Sequence, residues 1–213
     1  MQPDRPSSPS STPQPSAASK AAASVCTDST IEVGKGQDVA VRMYGRKKAG
    51  QASPVVVHFH GGAFTSGDLD NGCTVASLLE GAGAVVVSVA YPLTPFPQPV
   101  DTGYDVLKWV HRNRTKLGGQ GALVYLAGEE AGGNLAAAVS LMARDQSHPP
   151  LAGQILLSPM LDPCVGTASL REATGDSTGC KWTEGWRNFL RCPRDAEHPY
   201  AVPAGAQRLA GLP

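Results

Sequence analysis

"LVYLAGEEAGGNLAAAVSLMARD", from Leu123 to Asp145, changes character at its middle. An apolar run with the look of a buried strand ends at Gly128, and Gly132 and Gly133 follow. From Ala131 an alanine-rich helical pattern takes over, with Leu135, Ala138, Val139 and Met142 on one face. A strand that bends sharply into a helix between two glycines is the layout of the G-x-S-x-G turn, which holds its middle residue at an exposed apex. Here the middle residue is Glu130. Its carboxylate would sit at a helix N-terminus, where negative charge is favoured. A carboxylate there cannot become the alkoxide that a serine supplies.

Outward from this turn the chain alternates strand and helix. "PVVVHF" (54–59), "AVVVSVAY" (84–91), "LVYLAG" (123–128) and "GQILLSPM" (153–160) are short, largely apolar runs, as expected of strands covered on both faces of a parallel sheet. Helical patterns separate them at 75–81, at 104–117 with Tyr104, Leu107, Val110 and Leu117 on one stripe, and at 131–144. Before them, "TIEV" and "DVAVRMYG" alternate apolar and polar residues around the turn "GKGQD", the pattern of an antiparallel pair with one wet face. The expectation is an α/β fold with a mostly parallel, doubly wound sheet and helices on both faces. After Asp162 the rhythm fails: 163–200 has helical patches, notably near Thr183–Leu190, and no buried strand.

Composition narrows the class. The chain has 213 residues, enough for one α/β domain and too few for two of ordinary size. Its formal net charge is zero, which gives no electrostatic reason to expect a nucleic-acid partner. Residues 1–24 are rich in Pro, Ser and Ala and lack the apolar core of a signal peptide, so they read as a disordered tail. No run has the ~18 apolar residues of a membrane span. The cysteines at 26, 73, 164, 180 and 192 form no C-x-x-C pair, so a metal site is not expected and free thiols in a reducing, cytoplasmic setting are.

Four landmarks then fall in order: "HFHGGAF" after one strand, "YPLTPFPQPV" after the next, "AGEEAGGNLAAA" after the third and "LLSPMLD" after the fourth, with "HPYAVP" further on. As an ordered set over residues 28–213 they resemble the hormone-sensitive-lipase-like family of α/β-hydrolases, the carboxylesterases with an H-G-G-G motif. The resemblance implies an α/β-hydrolase domain, incomplete here, with a lid-like insertion at about 163–200. It implies an oxyanion hole built from the backbone N–H groups of Gly61, Gly62 and Ala131, since backbone donors must approach the developing charge closely. Ala63 stands for the third glycine and keeps its N–H. His60 is implied to brace the loop, and Gly128, Gly132 and Gly133 to give the elbow its room. The implied ligand is a small acyl ester or a related apolar molecule, with no metal or organic cofactor.

The departures matter as much. Glu130 takes the serine's place, and the "YPLTPFPQPV" loop is shorter than usual in the family. The family's acid and histidine are expected on later strands than this chain contains. The five histidines, 58, 60, 111, 148 and 198, all precede that region. Loss of a triad serine or histidine removes about 10⁶-fold in turnover and leaves roughly 10³-fold over water. The expectation is therefore an impaired or inactive esterase relative. Two alternatives stand beside it: a ligand-binding pseudoenzyme, or a hydrolase in which Glu130 is nucleophile or base and a partner chain completes the site. With no neighbour expected beyond it, strand 153–160 is also expected to be an open edge suited to self-association.

Overall fold

The computed structural model describes residues 26–34, 36–174 and 181–213. The tail assigned to residues 1–24, together with Lys35 and Cys180, lies outside the described residues. Six strands form one sheet: β1 (Cys26–Val33), β2 (Gln37–Tyr44), β3 (Val55–Phe59), β4 (Val85–Val89), β5 (Val124–Glu129) and β6 (Gly153–Leu157). Their order across the sheet is β1-β2-β4-β3-β5-β6. β1 and β2 pair antiparallel, as do β2 and β4, and the remaining pairs are parallel.

The valine runs explain the centre. Every side chain of β3 and β4 is buried, because helices cover both faces of the sheet. On one face α1 (Cys73–Gly81) packs on β4 and β2, around Ala76, Val56, Val86 and Ala127. On the other, α2 (Gln98–Gly118) and α3 (Ala131–Asp145) cover β3, β5 and one another. Val57, Phe59, Leu107, Val110, Leu126, Leu135 and Val139 make that larger core. Tyr104, Leu117 and Met142 are partly buried against it. Burial of α3 goes beyond the single face expected, since most of its residues lose contact with water. It is wedged between the sheet, α2 and the segment around Pro203–Gly205.

Several boundaries differ from the sequence reading. α2 begins at Gln98, six residues before the expected Tyr104, and takes in part of the proline-rich loop. Pro99 lies in its first turn, where a missing N–H costs nothing. β1 starts at Cys26 rather than Thr30, and its first five residues are exposed. Backbone pairing from Cys26↔Tyr44 to Val33↔Gln37 fixes them as strand, so their side chains carry no signal. At the other edge, β6 ends at Leu157 and has Ile155 and Leu157 partly exposed. The 163–200 region contains α4 (Ala168–Thr174), α5 (Lys181–Phe189) and α6 (Pro193–Ala196).

β4 lies on one side of β3 and β5 on the other, so the winding direction reverses at β3. Ligand sites of open α/β sheets form beyond the strand C-termini at such a reversal. The "HGGAF" loop leaves β3 there, and the turn into α3 leaves β5 there.

Candidate functional site

Glu130 is the bend between β5 and α3. Its backbone stands at φ 49° and ψ −114°. A non-glycine residue held there costs about 1–3 kcal/mol, and it persists only where its surroundings fix it. Hydrogen bonds do so on both sides. The Glu130 N–H donates to the Leu157 carbonyl, while the Glu130 carbonyl accepts from the N–H groups of Met160 and Asn134. Space is the other requirement. A Cβ at Gly132 would overlap the Phe59 carbonyl, and one at Gly128 would overlap the Gly132 carbonyl. Gly133 lies against Pro159. Ala131 opens α3 and is fully buried.

The "HGGAF" loop faces this bend and spends its amides on two adjacent carboxylates. Gly61 N–H donates to Glu129 Oε1 at 3.2 Å, and Gly62 N–H donates to Glu130 Oε2 at 3.2 Å. Thus Gly62 meets the apex residue, whereas Gly61 is turned to its neighbour. His60 is buried, its ring stacked on Tyr91 at 4.3 Å and its Nδ1 2.8 Å from the Gly61 carbonyl. Burial holds its pKa below the ordinary 6.5. The Tyr91 hydroxyl donates to the His60 carbonyl, and burial pushes its pKa far up.

Behind the loop runs a polar line that the sequence reading missed. Ser88 on β4 lies opposite His58 on β3, and His58 lies opposite Ala127 on β5. Glu129, two residues beyond Ala127, shares its face of the sheet. His58 Nδ1 is 3.0 Å from Ser88 Oγ, and His58 Nε2 is 2.8 Å from Glu129 Oε2. Ser88 and His58 are fully buried. The three side chains are connected as hydroxyl, imidazole and carboxylate, but the hydroxyl is sealed inside the sheet and cannot meet a substrate.

Lys181 is the second residue that sequence reasoning missed. Its Nζ donates to Glu130 Oε1 at 2.8 Å. It reaches the apex because α5 sits directly on the "HGGAF" loop: a Cβ at Gly185 would overlap the Ala63 carbonyl. Phe189 stacks on Phe64 at 4.1 Å, and Trp186 lies 5.5 Å from the same ring. Phe96 N–H donates to the Phe189 carbonyl at 2.9 Å, tying α5 to the proline-rich loop. The signal was the aromatic set of "KWTEGWRNF", which has no meaning until the loop it covers is placed.

Among the described residues, the hydrogen-bond partners of the Glu130 carboxylate are thus Gly62 and Lys181, and neither is a histidine. His198 sits at the edge of the aromatic cluster, its ring 5.0 Å from that of Phe96. Asp162 accepts from the Cys164 N–H in a local turn. No group of three or more His, Cys, Asp or Glu among the described residues is placed to hold a metal ion, and no helix is long and apolar enough to cross a membrane.

The chain is similar to known proteins over most of its described length. A family model described as the alpha/beta hydrolase fold matches residues 56–213. Carboxylesterase NlhH of Mycobacterium tuberculosis is 40% identical over 126 residues, which are 57% of this chain and 40% of that protein. Gibberellin receptor GID1C of Arabidopsis thaliana is 35% identical over 178 residues, 76% of this chain and 51% of that protein. The chain therefore spans about half the length of such relatives or less. Among solved structures, a hyperthermophilic esterase from Pyrobaculum calidifontis superposes with a TM-score of 0.73 at 35% identity, covering 89% of this chain and 64% of that one. With the "HGGAF" loop after β3 and the bend after β5 both in place, the chain belongs to the alpha/beta-hydrolase-fold family, on its hormone-sensitive-lipase-like, carboxylesterase-related branch.

Proposed function

We propose that this chain is a non-hydrolytic member of its family that holds a ligand where its relatives transfer acyl groups. One observation carries the reading: the apex side chain is a carboxylate whose two oxygens are bound to Gly62 N–H and Lys181 Nζ. An ester carbonyl would need the Gly62 donor at the moment its oxygen gains charge. Here the Glu130 carboxylate already accepts from that donor, so an ester oxygen would have to displace it. Relatives named as esterases and relatives named as gibberellin receptors both match this chain, so the scaffold serves catalysis in some and ligand holding in others.

The competing reading makes Glu130 a carboxylate nucleophile. Attack on the ester carbonyl would break its acyl C–O bond, expel the alkoxide or phenolate and leave a covalent acyl anhydride, and clearing that anhydride needs a base to activate water. Among the described residues no imidazole reaches Glu130 to serve. The test uses p-nitrophenyl acetate and butyrate with the wild type, Glu130→Ala and Glu130→Ser. The expected result is no multiple turnover in the wild type or Glu130→Ala. Sustained wild-type turnover that disappears in Glu130→Ala would establish the nucleophile reading instead. A single burst of nitrophenolate equal to the protein concentration, seen only with Glu130 present, would mark attack without release.

A further inference from the structure

The apex of the bend already holds an ammonium group, and it is the chain's own. Lys181 Nζ is 2.8 Å from Glu130 Oε1 and lies over the Trp182 ring, 5.1 Å from its centroid. Glu130 and Trp182 both line a cavity of about 370 Å³. That volume falls at the small end of ligand sites, which run from roughly 300 to 1,000 Å³. Trp186, Met160 and Val165 add apolar wall, and Asp162 adds a second carboxylate. Among the described residues that line it there is no lysine, arginine or histidine. With Lys181 swung away, an anionic ligand would face the Glu130 and Asp162 carboxylates. A cation would find a carboxylate at one end and, beside it, the Trp182 indole, whose face already carries an ammonium group.

Building on the reading that Glu130 no longer takes part in acyl transfer, we propose that this cavity binds small organic cations of the alkylammonium class, with Lys181 as the internal group they displace. The Lys181 side chain is 55% exposed, so it can swing into water without losing a buried position. Lys181 then acts as a tethered competitor. If it covers Glu130 about nine-tenths of the time, an external cation binds about tenfold more weakly than to the open site.

The probes are choline and its uncharged isostere 3,3-dimethylbutan-1-ol, titrated against the full chain and followed by line broadening and saturation transfer on their methyl signals. Lys181→Met keeps the apolar stem and removes the charge. It should bind choline about tenfold more tightly than the wild type does. It should also prefer choline to the alcohol by about tenfold. Adding Glu130→Gln to that variant should abolish the preference, with thermal melting used to verify that each protein is folded. Equal affinity for the two probes, no binding of choline by Lys181→Met, or a preference that survives Glu130→Gln would each overturn the site. The same preparations assayed with p-nitrophenyl butyrate separate the two ideas. Turnover dependent on Glu130 would overturn the non-hydrolytic reading, whereas loss of choline discrimination without turnover would overturn the cation site alone.

Discussion

On the sheet side of the bend, Glu129 reaches a fully buried histidine and a loop amide, and its own side chain is 18% exposed. On the cap side, Glu130 reaches a loop amide and a lysine that is mostly in water. The two carboxylates are adjacent in sequence and similar in their partners' number, yet they answer to different physics. Glu129 is the last residue of β5, so strand alternation and the parallel register direct it toward His58. Glu130 follows the strand, and its direction is set by the strained bend. The lesson is that one carboxylate is held by a buried imidazole and a loop amide, while the other is held by a loop amide and an exposed ion pair.

The sheet side should therefore be costly to disturb. Gly132→Ala places a methyl group against the Phe59 and His60 carbonyls, which belong to backbone and cannot move aside cheaply. The expected loss is about 3 kcal/mol or more, or roughly 6–12 °C in the thermal midpoint for a domain of this size. A midpoint within about 2 °C of the wild type would mean that the bend is not packed as described.

Next in size is a paired test of the comparison itself. Glu129→Ala strips the fully buried His58 of its carboxylate and leaves the Gly61 N–H unsatisfied, at a cost of about 2–4 kcal/mol. Glu130→Ala removes a partly exposed ion pair and one bond to Gly62, and should cost about 1 kcal/mol or less. Urea unfolding of both variants decides the matter. Equal losses would erase the distinction between the two sides.

Much of the sheet side is legible in the amino-acid sequence. Valine runs in β3 and β4 announce strands covered on both faces, and the glycines at 128 and 132 announce the bend. The line Ser88–His58–Glu129 is not legible there, because it needs strand order and register as well as strand identity. The start of α2 is hidden because prolines fit equally well in a loop and in the first turn of a helix. α5 is visible as a helical patch around Thr183–Leu190, but its place is not. Gly185 and Phe189 gain their purpose only from the Ala63 carbonyl and the Phe64 ring, more than a hundred residues earlier in the chain.

Acid supplies a smaller and more selective disturbance. His60 is buried on the sheet side, and desolvation lowers its pKa in the folded protein below the ordinary 6.5. The unfolded chain therefore binds the proton more readily. This contribution to stability is complete above the unfolded value and is lost progressively as pH falls below about 6.5 toward the folded one. His111 shifts in the same direction, again from burial, so one variant must isolate the effect. Urea midpoints measured at several pH values between 7.5 and 5 should fall more steeply in the wild type than in His60→Gln. Parallel curves would place a charged or hydrated imidazole at position 60.

The smallest effect belongs to the cap. Lys181 and Glu130 form an ion pair whose side chains are 55% and 27% exposed. Pairs of this kind contribute about 0–1 kcal/mol, since water screens them and two flexible chains must be held in place. Lys181→Met should therefore shift the thermal midpoint by no more than about 2–4 °C. Its aliphatic stem can still cover Trp182, so the loss is electrostatic rather than hydrophobic. A much larger loss would mean that Lys181, rather than the packing of Gly185, Trp186 and Phe189, anchors α5. A negligible loss leaves the lysine free to yield to another cation, because a group that contributes little to stability can be displaced without unfolding the helix that carries it.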